Sequence, residues 1–303
     1  MRIHTAGAIA RPTSAFRPWR LSVAAGLLAF VAAQAAPLAA SAAPASPAWP
    51  AVPATLPPAE LARQMQSAIQ DASPGTEVGI DVIDTGTGSV VAALGADQSF
   101  YTASVVKLLI ALDALHGQGP QANSADPARL ERMLATSDDD IADELWCTGG
   151  GTDIVSRMID RIGLTGTQLP EDSSEWGETR TTPADVVAIY HYLTTAVPEP
   201  DRQVILNGLL HSTRIAADGT DQSFGIPTVF PGVPTAVKQG WMMMNASTTM
   251  NTTGLVAAAP NQPLRYLVVV LTTQPAGISW SAAGSAVTAG LTVLRTAPST
   301  TVA

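Results

Sequence analysis

A chain of 303 residues with 46% hydrophobic and 14% charged residues has ample apolar material for one large domain or two small ones, which excludes general disorder. The net charge of −9, with no Lys/Arg cluster beyond Arg20, argues against a nucleic-acid partner. A single cysteine, Cys147, excludes an internal disulfide.

At the N-terminus Arg2, Arg11, Arg17 and Arg20 precede an apolar stretch, Leu21 to Ala36, and a small-residue site at Ala40-Ser41-Ala42. This is the pattern of an export signal over residues 1–42. The stretch is short for a membrane span and is broken by Gln34 and Pro37. Cleavage is therefore expected, leaving no stable span, with retention as an anchor the alternative. Cys147 is not at the cleavage site and cannot carry a lipid there. An exported chain without disulfides points to a secreted or cell-wall or periplasm-associated bacterial protein. Residues 43–58, rich in Ala and Pro, read as an extended linker.

From Glu60, Leu61, Met65 and Ile69 recur at helical spacing, and Ser73-Pro74-Gly75 stops that helix. Val78, Ile80 and Val82 alternate with smaller or polar residues, and Thr85-Gly86-Thr87-Gly88 turns the chain into Val90 to Leu94, a hairpin. After Tyr101 comes a helix bearing Ser104 and Lys107 that closes at Gly117. Asp126-Pro127 caps a helix with Leu130, Met133 and Leu134 inward, ending at Ser137 to Asp140. Another helix begins at Ile141, Gly149-Gly150-Gly151 breaks it, and Thr152 is expected to cap the next. Residues 163–182 read as a loop long enough to suggest function. Helices follow from Thr182-Pro183, with Val186, Val187, Tyr190 and Leu193 inward, and over 201–211. Strands are expected at Thr235 to Met243, Thr253 to Ala258 and Leu264 to Thr272, then a helix over 282–294. The tail after Pro298 reads as frayed. This order predicts an α/β sandwich, a mainly antiparallel sheet of about five strands flanked by helices, plus an all-α lobe, with a cleft between the lobes.

On a helix, Ser104 and Lys107 share a face one turn apart, so hydroxyl and amine can meet. Lys107 and Lys238 are the only lysines, against fourteen arginines. Lysine therefore persists at two places only, and lysine, unlike arginine, can lose its proton or act as a compact point charge. Three strings occur in order: Ser104-x-x-Lys107, Ser137-Asp138-Asp139 and Lys238-Gln239-Gly240. Together they resemble the S-x-x-K, S-D-N and K-T/S-G signatures of the serine β-lactamase and penicillin-binding-protein superfamily, closest to class A β-lactamases. The resemblance runs over about Glu60 to Leu294. It implies one domain over 59–298, with an α/β lobe over 59–103 and 235–298 and a helical lobe over 104–234.

The chemistry so implied is acyl transfer. Ser104 is the nucleophile and Lys107 its base, if burial and the Lys238 charge lower its pKa. The N–H groups of Ser104 and Trp241 form the oxyanion hole, at a helix N-terminus whose dipole favours developing negative charge. Ser137 passes a proton to the leaving nitrogen, and Lys238 holds Ser137 while attracting a substrate carboxylate. Asp139, Gln239, Gly240 and Trp241 would touch substrate. The implied ligand is a small β-lactam or a peptidoglycan stem peptide, with no metal, no cofactor and a monomeric enzyme.

Three departures bear on turnover. Asp139 stands where asparagine is usual; it cannot donate hydrogen bonds when ionised, and near Lys107 it would favour the charged amine. Asp139 is then either the base itself or a residue that tunes the site away from β-lactams; the plain alternative is a solvated acidic helix start. Gln239 replaces a small hydroxyl residue. No E-x-x-L-N string supplies a deacylating glutamate, and Glu171, in a loop that also holds Glu175 and Glu178, is the nominee. The rival readings are a D-alanyl-D-alanine peptidase or transpeptidase and a non-hydrolytic wall- or β-lactam-binding protein. His116, His191 and His211 show neither triad nor zinc spacing. Trp241 to Met244 reads first as strand packing. Asn245-Ala-Ser and Asn251-Thr-Thr match glycosylation acceptors, a match of little weight in a bacterial chain.

Overall fold

The computed structural model describes residues 56–117 and 126–296. The expected signal over 1–42, nearly all of the expected linker over 43–58 and the tail after Pro298 lie outside those residues. In order, the elements are α1 (Pro58–Ala72), β1 (Glu77–Asp84), β2 (Ser89–Leu94), β3 (Phe100–Tyr101), a 3₁₀ turn (Ala103–Val106), α2 (Lys107–His116), α3 (Pro127–Thr136), α4 (Asp139–Gly149) and α5 (Thr152–Ile162). Then follow β4 (Arg180–Thr181), α6 (Pro183–Thr195), α7 (Glu199–Leu210), α8 (Ile226–Val229), β5 (Thr235–Met243), β6 (Ser247–Ala257), β7 (Leu264–Pro275) and α9 (Trp280–Thr296).

The main sheet is antiparallel, in the order β2-β1-β7-β6-β5. Its central strand explains the near-continuous apolar run in the sequence. On β7, Val268 and Val270 enter a core with α1 and α9, while Leu267, Val269 and Leu271 enter a second core with the helical region. A sheet covered on both faces needs apolar residues at every position, not at alternate ones. On α1, Leu61, Met65 and Ile69 are buried at helical spacing, each such side chain stabilising the fold by about 2 kcal/mol.

Several local readings hold. Asp126 accepts the Ala128 N–H at the start of α3, Thr182 accepts the Asp185 N–H at the start of α6, and Gly117 closes α2 in the left-handed region. Others are corrected. β6 begins at Ser247, six residues before the expected Thr253: Thr252 Oγ1 accepts the Ile226 N–H, and Asn251 bonds Tyr101 O and the Thr272 N–H, so polar side chains are held inside a segment whose composition does not read as a strand. Gly151, not Thr152, occupies the N-cap of α5, and no side chain caps it. Ile189 is buried on α6, whereas Val187 is only half-buried. The two-residue strands β3 and β4 pair Phe100 with Thr181 and Tyr101 with Arg180, so the long loop is stitched to the segment before Ser104. Strands this short leave no periodicity to read. Phe224, Ile226, Val229, Phe230 and Val233 pack into the α1/α9 core, although the sequence reading groups them with the helical lobe.

Candidate active site

The turn that presents Ser104 is built by its neighbours. Asn251, fully buried on β6, donates from Nδ2 to the carbonyls of Tyr101 (2.9 Å) and Thr102 (3.2 Å) and accepts the Thr272 N–H (3.0 Å). This burial removes Asn251 as a glycan acceptor; Asn245 is exposed. The Thr102 N–H donates to Thr179 O at 2.8 Å. Between these clamps Ala103 is held at φ 44°, a left-handed backbone that costs a non-glycine residue about 1 kcal/mol and is tolerated because its surroundings fix it. Ser104 lies on the 3₁₀ turn and not within an α-helix, which begins at Lys107. In a 3₁₀ turn positions i and i+3 eclipse one another, aligning the serine and lysine side chains directly.

Lys107 Nζ donates to Ser104 Oγ at 2.8 Å and to Ser137 O at 3.1 Å, and lies 3.4 Å from Ser137 Oγ. Ser137, at the C-terminal end of α3 with φ 54°, turns its hydroxyl to the second lysine, and Lys238 Nζ reaches Ser137 Oγ at 3.0 Å. Both lysines are fully buried. Lys107 also forms an ion pair with Asp139 and sits 4.4 Å from the Trp176 ring centre. Burial pushes the Lys107 ammonium below the ordinary lysine range, and Asp139 pulls against that shift. Lys238 is pushed further down by burial and by the neighbouring Lys107 charge.

Asp138 serves as the cap of α4, accepting the Ile141 N–H at 3.1 Å and pairing with Arg132. The next residue, Asp139, is thereby aimed at Lys107, so it is more than a solvated helix start. Gly240 has a steric reason to be glycine: a Cβ there would stand 2.6 Å from Thr102 O and 3.3 Å from Ser104 N. Only a residue without Cβ lets β5 run this close to the serine turn. Gln239 points the other way. Its side-chain amide donates to the carbonyls of Gln222 (3.1 Å) and Phe224 (2.6 Å), so it anchors the segment before α8 instead of facing substrate. Strand alternation sends Lys238 and Gln239 to opposite faces.

A cleft of about 810 Å³ opens over Ser104 and is lined also by Asp139, Trp241 and the loop segment 173–177. Glu171 is exposed and outside this lining; Glu175 is within it. In the sequence Asn251 stands out only as a glycosylation match, and Asp143, Trp176, Asp218 and Trp280 do not stand out as site residues. Of these, Trp176 carried a signal in its position on the suspect loop. Asp143 stands one turn after Asp139 on α4, whereas Asn251, Asp218 and Trp280 meet the site only through tertiary packing.

Fold and site together define the class: the chain belongs to the serine β-lactamase and penicillin-binding-protein superfamily. The model of the Beta-lactamase enzyme family (Beta-lactamase2) matches residues 60–118. Among individual proteins, the "Putative lipoprotein LppW" of Mycobacterium tuberculosis is 34% identical over 221 residues, which span 71% of this chain and 68% of the relative. Two solved structures share the fold. TLA-1 extended-spectrum β-lactamase has a TM-score of 0.63 at 15% identity, covering 78% of this chain and 96% of the other. A β-lactamase from Burkholderia vietnamiensis has a TM-score of 0.60 at 21% identity, covering 78% and 95%.

Proposed function

We propose that the protein is an exported serine hydrolase that opens β-lactam or related acyl-amide bonds through an acyl-serine intermediate. The observation that carries this reading is the 2.8 Å contact between Lys107 Nζ and Ser104 Oγ, made by a lysine whose burial favours the neutral amine. Lys107 takes the Ser104 proton as Oγ bonds to the carbonyl carbon, and the N–H groups of Ser104 and Trp241 receive the oxyanion. When the C–N bond breaks, Ser137 hands a proton to the departing nitrogen, with Lys238 holding the Ser137 hydroxyl. Gly240 permits the close approach of β5 that this geometry needs.

The domain boundaries 59–298, a monomeric state and the absence of a cofactor requirement belong to the same proposal. So does export: the leader pattern supports it, and the mycobacterial relative's name describes a lipoprotein. Because Cys147 lies in α4, this chain would be released by cleavage at about Ala42 and not lipidated there.

A second reading, a protein that acylates and then releases slowly, as in a D-alanyl-D-alanine peptidase or transpeptidase or a non-hydrolytic binder, is favoured by the position of Glu171 outside the cleft. One experiment separates the two. The mature protein is mixed with a fluorescent penicillin and a chromogenic cephalosporin, and intact mass is followed with time. Colour with a transient adduct supports hydrolysis, and a lasting adduct on Ser104 supports the slow releaser. A folded protein that gains no adduct from either would overturn the β-lactam-directed reading.

A further inference from the structure

Releasing an acyl group from Ser104 requires a water molecule at the acylated serine. The water oxygen bonds to the acyl carbon, its proton passes to Lys107, the carbon–Oγ bond breaks and Ser104 Oγ takes a proton back. Lys107 is free to accept, because the proton it took during acylation has left on the departing nitrogen. The attacking water must therefore stand beside both Ser104 Oγ and Lys107 Nζ.

Trp176 fills ground next to that position. Its ring centre is 4.4 Å from Lys107 Nζ, which itself lies 2.8 Å from Ser104 Oγ. A water between amine and ring would need about 2.9 Å on one side and about 3.5 Å on the other, roughly 6 Å in all. At 4.4 Å the indole meets the amine directly, and no water fits between them. The cleft side is taken by the acyl group itself once it is attached.

The indole is fixed in this place from several directions. Its Nε1 donates to Asp143 Oδ1 on α4 at 2.7 Å, and its half-buried ring packs on the core of the helical region. The next residue, Gly177, is buried against the serine turn: Thr102 Oγ1 lies 3.4 Å from its carbonyl oxygen, and a Cβ on it would stand 3.3 Å from Met242 Sδ and 3.7 Å from Ala103 Cα. Ahead of it, Trp146 Nε1 donates to Ser173 O at 2.9 Å. The carboxylates closest to Lys107 are already engaged, Asp139 with the amine and Asp143 with the indole.

We infer that Trp176 sets the lifetime of the acyl-serine, denying water the place beside Lys107 so that acylation outruns release. This rests on the acyl-serine reading, and it adds to that reading the slow step and the residue that controls it. Asp143 is a positioning residue that acts through the indole.

The test labels the mature protein with a fluorescent penicillin, removes the excess by rapid desalting and follows the decay of the adduct mass. With a chromogenic cephalosporin, the wild-type protein should give a burst of one equivalent ahead of a slower steady rate. Trp176→Ala should hasten adduct decay by on the order of tenfold or more, whereas Trp176→Phe, which keeps an aromatic face over Lys107, should stay within about threefold of wild type. Asp143→Ala, at an exposed position, should hasten decay by a smaller factor and add nothing in the Trp176→Ala background. Circular dichroism checks that each variant is folded, and if Trp176→Ala does not fold, Asp143→Ala carries the same comparison. Decay at the wild-type rate in Trp176→Ala and Asp143→Ala overturns the inference, as does a Phe variant that decays as fast as the Ala variant or a wild-type protein without a burst. If folded protein gains no adduct at all, the acyl-serine reading itself fails and takes this inference with it.

Discussion

Ser104, Lys107, Ser137 and Lys238 form a floor to the cleft in which no residue is more than 5% exposed, joined by hydrogen bonds of 2.8–3.4 Å. The facing wall contrasts with it, since Ser173, Ser174 and Glu175 are exposed there. The floor is set before any ligand arrives, because its groups are locked by buried partners on α2, α3 and β5. The wall is tied at its ends and, between them, by Trp146 Nε1 donating to Ser173 O and Trp176 Nε1 donating to Asp143 Oδ1. Asp185 accepts the N–H groups of Thr165 and Gly166 at the start of the loop, and β4 pairs with β3 at the finish. Fixed geometry of the first kind suits bond-making, and under the proposed acyl transfer the exposed wall would govern ligand entry and the access of water.

The largest expected effect comes from removing the nucleophile. Ser104→Ala should abolish penicillin adducts in intact-mass spectra, a loss of at least about 10³-fold in acylation rate. Lys107→Arg should slow acylation by about 10² or more, because a guanidinium retains its proton and cannot act as base. Stopped-flow labelling would measure that loss, and a rate near wild type would remove Lys107 from the base role.

Gly240→Ala tests the close approach of β5. Its Cβ would face Thr102 O at 2.6 Å, and relief of that overlap should cost about 1–3 kcal/mol in urea unfolding and slow acylation as well. Asp139→Asn addresses the pH dependence. Asp139 raises the Lys107 pKa against the effect of burial, so its loss should lower that pKa further. The neutral amine then exists at lower pH, and the rising limb of the acylation pH profile should move toward acid. Disappearance of that limb would instead identify Asp139 as the base. The smallest effect belongs to the loop just outside the cleft: Glu171→Gln should change acyl-enzyme release by less than about twofold, measured as the decay of the adduct mass. A larger change there would place the release step on a part of the loop outside the cleft.

Much of the site was legible because each of the three strings combines local structure with chemistry. The pair at Ser104 and Lys107 follows from spacing alone, and the scarcity of lysine marked both buried amines. Local sequence leaves the role of Asp139 open, and the start of α4 aims it at Lys107. The resemblance implies that Gln239 faces substrate, although strand alternation turns its side chain to the opposite face from Lys238. Only loop composition points to Glu171, and composition holds no information on direction.

Local sequence determined most of the helices, the caps at Asp126 and Thr182, the long antiparallel strands and the meeting of Ser104 with Lys107, since these depend on residues within one or two turns of each other. Tertiary structure alone decided that Asn251 clamps the turn before Ser104 across 149 residues of chain to Thr102, and that tryptophans from four separate segments converge on one cleft. Such contacts come from the order of strands in the sheet and the packing of its two faces. They arise between residues whose spacing in the sequence has no fixed period, so no local pattern records them.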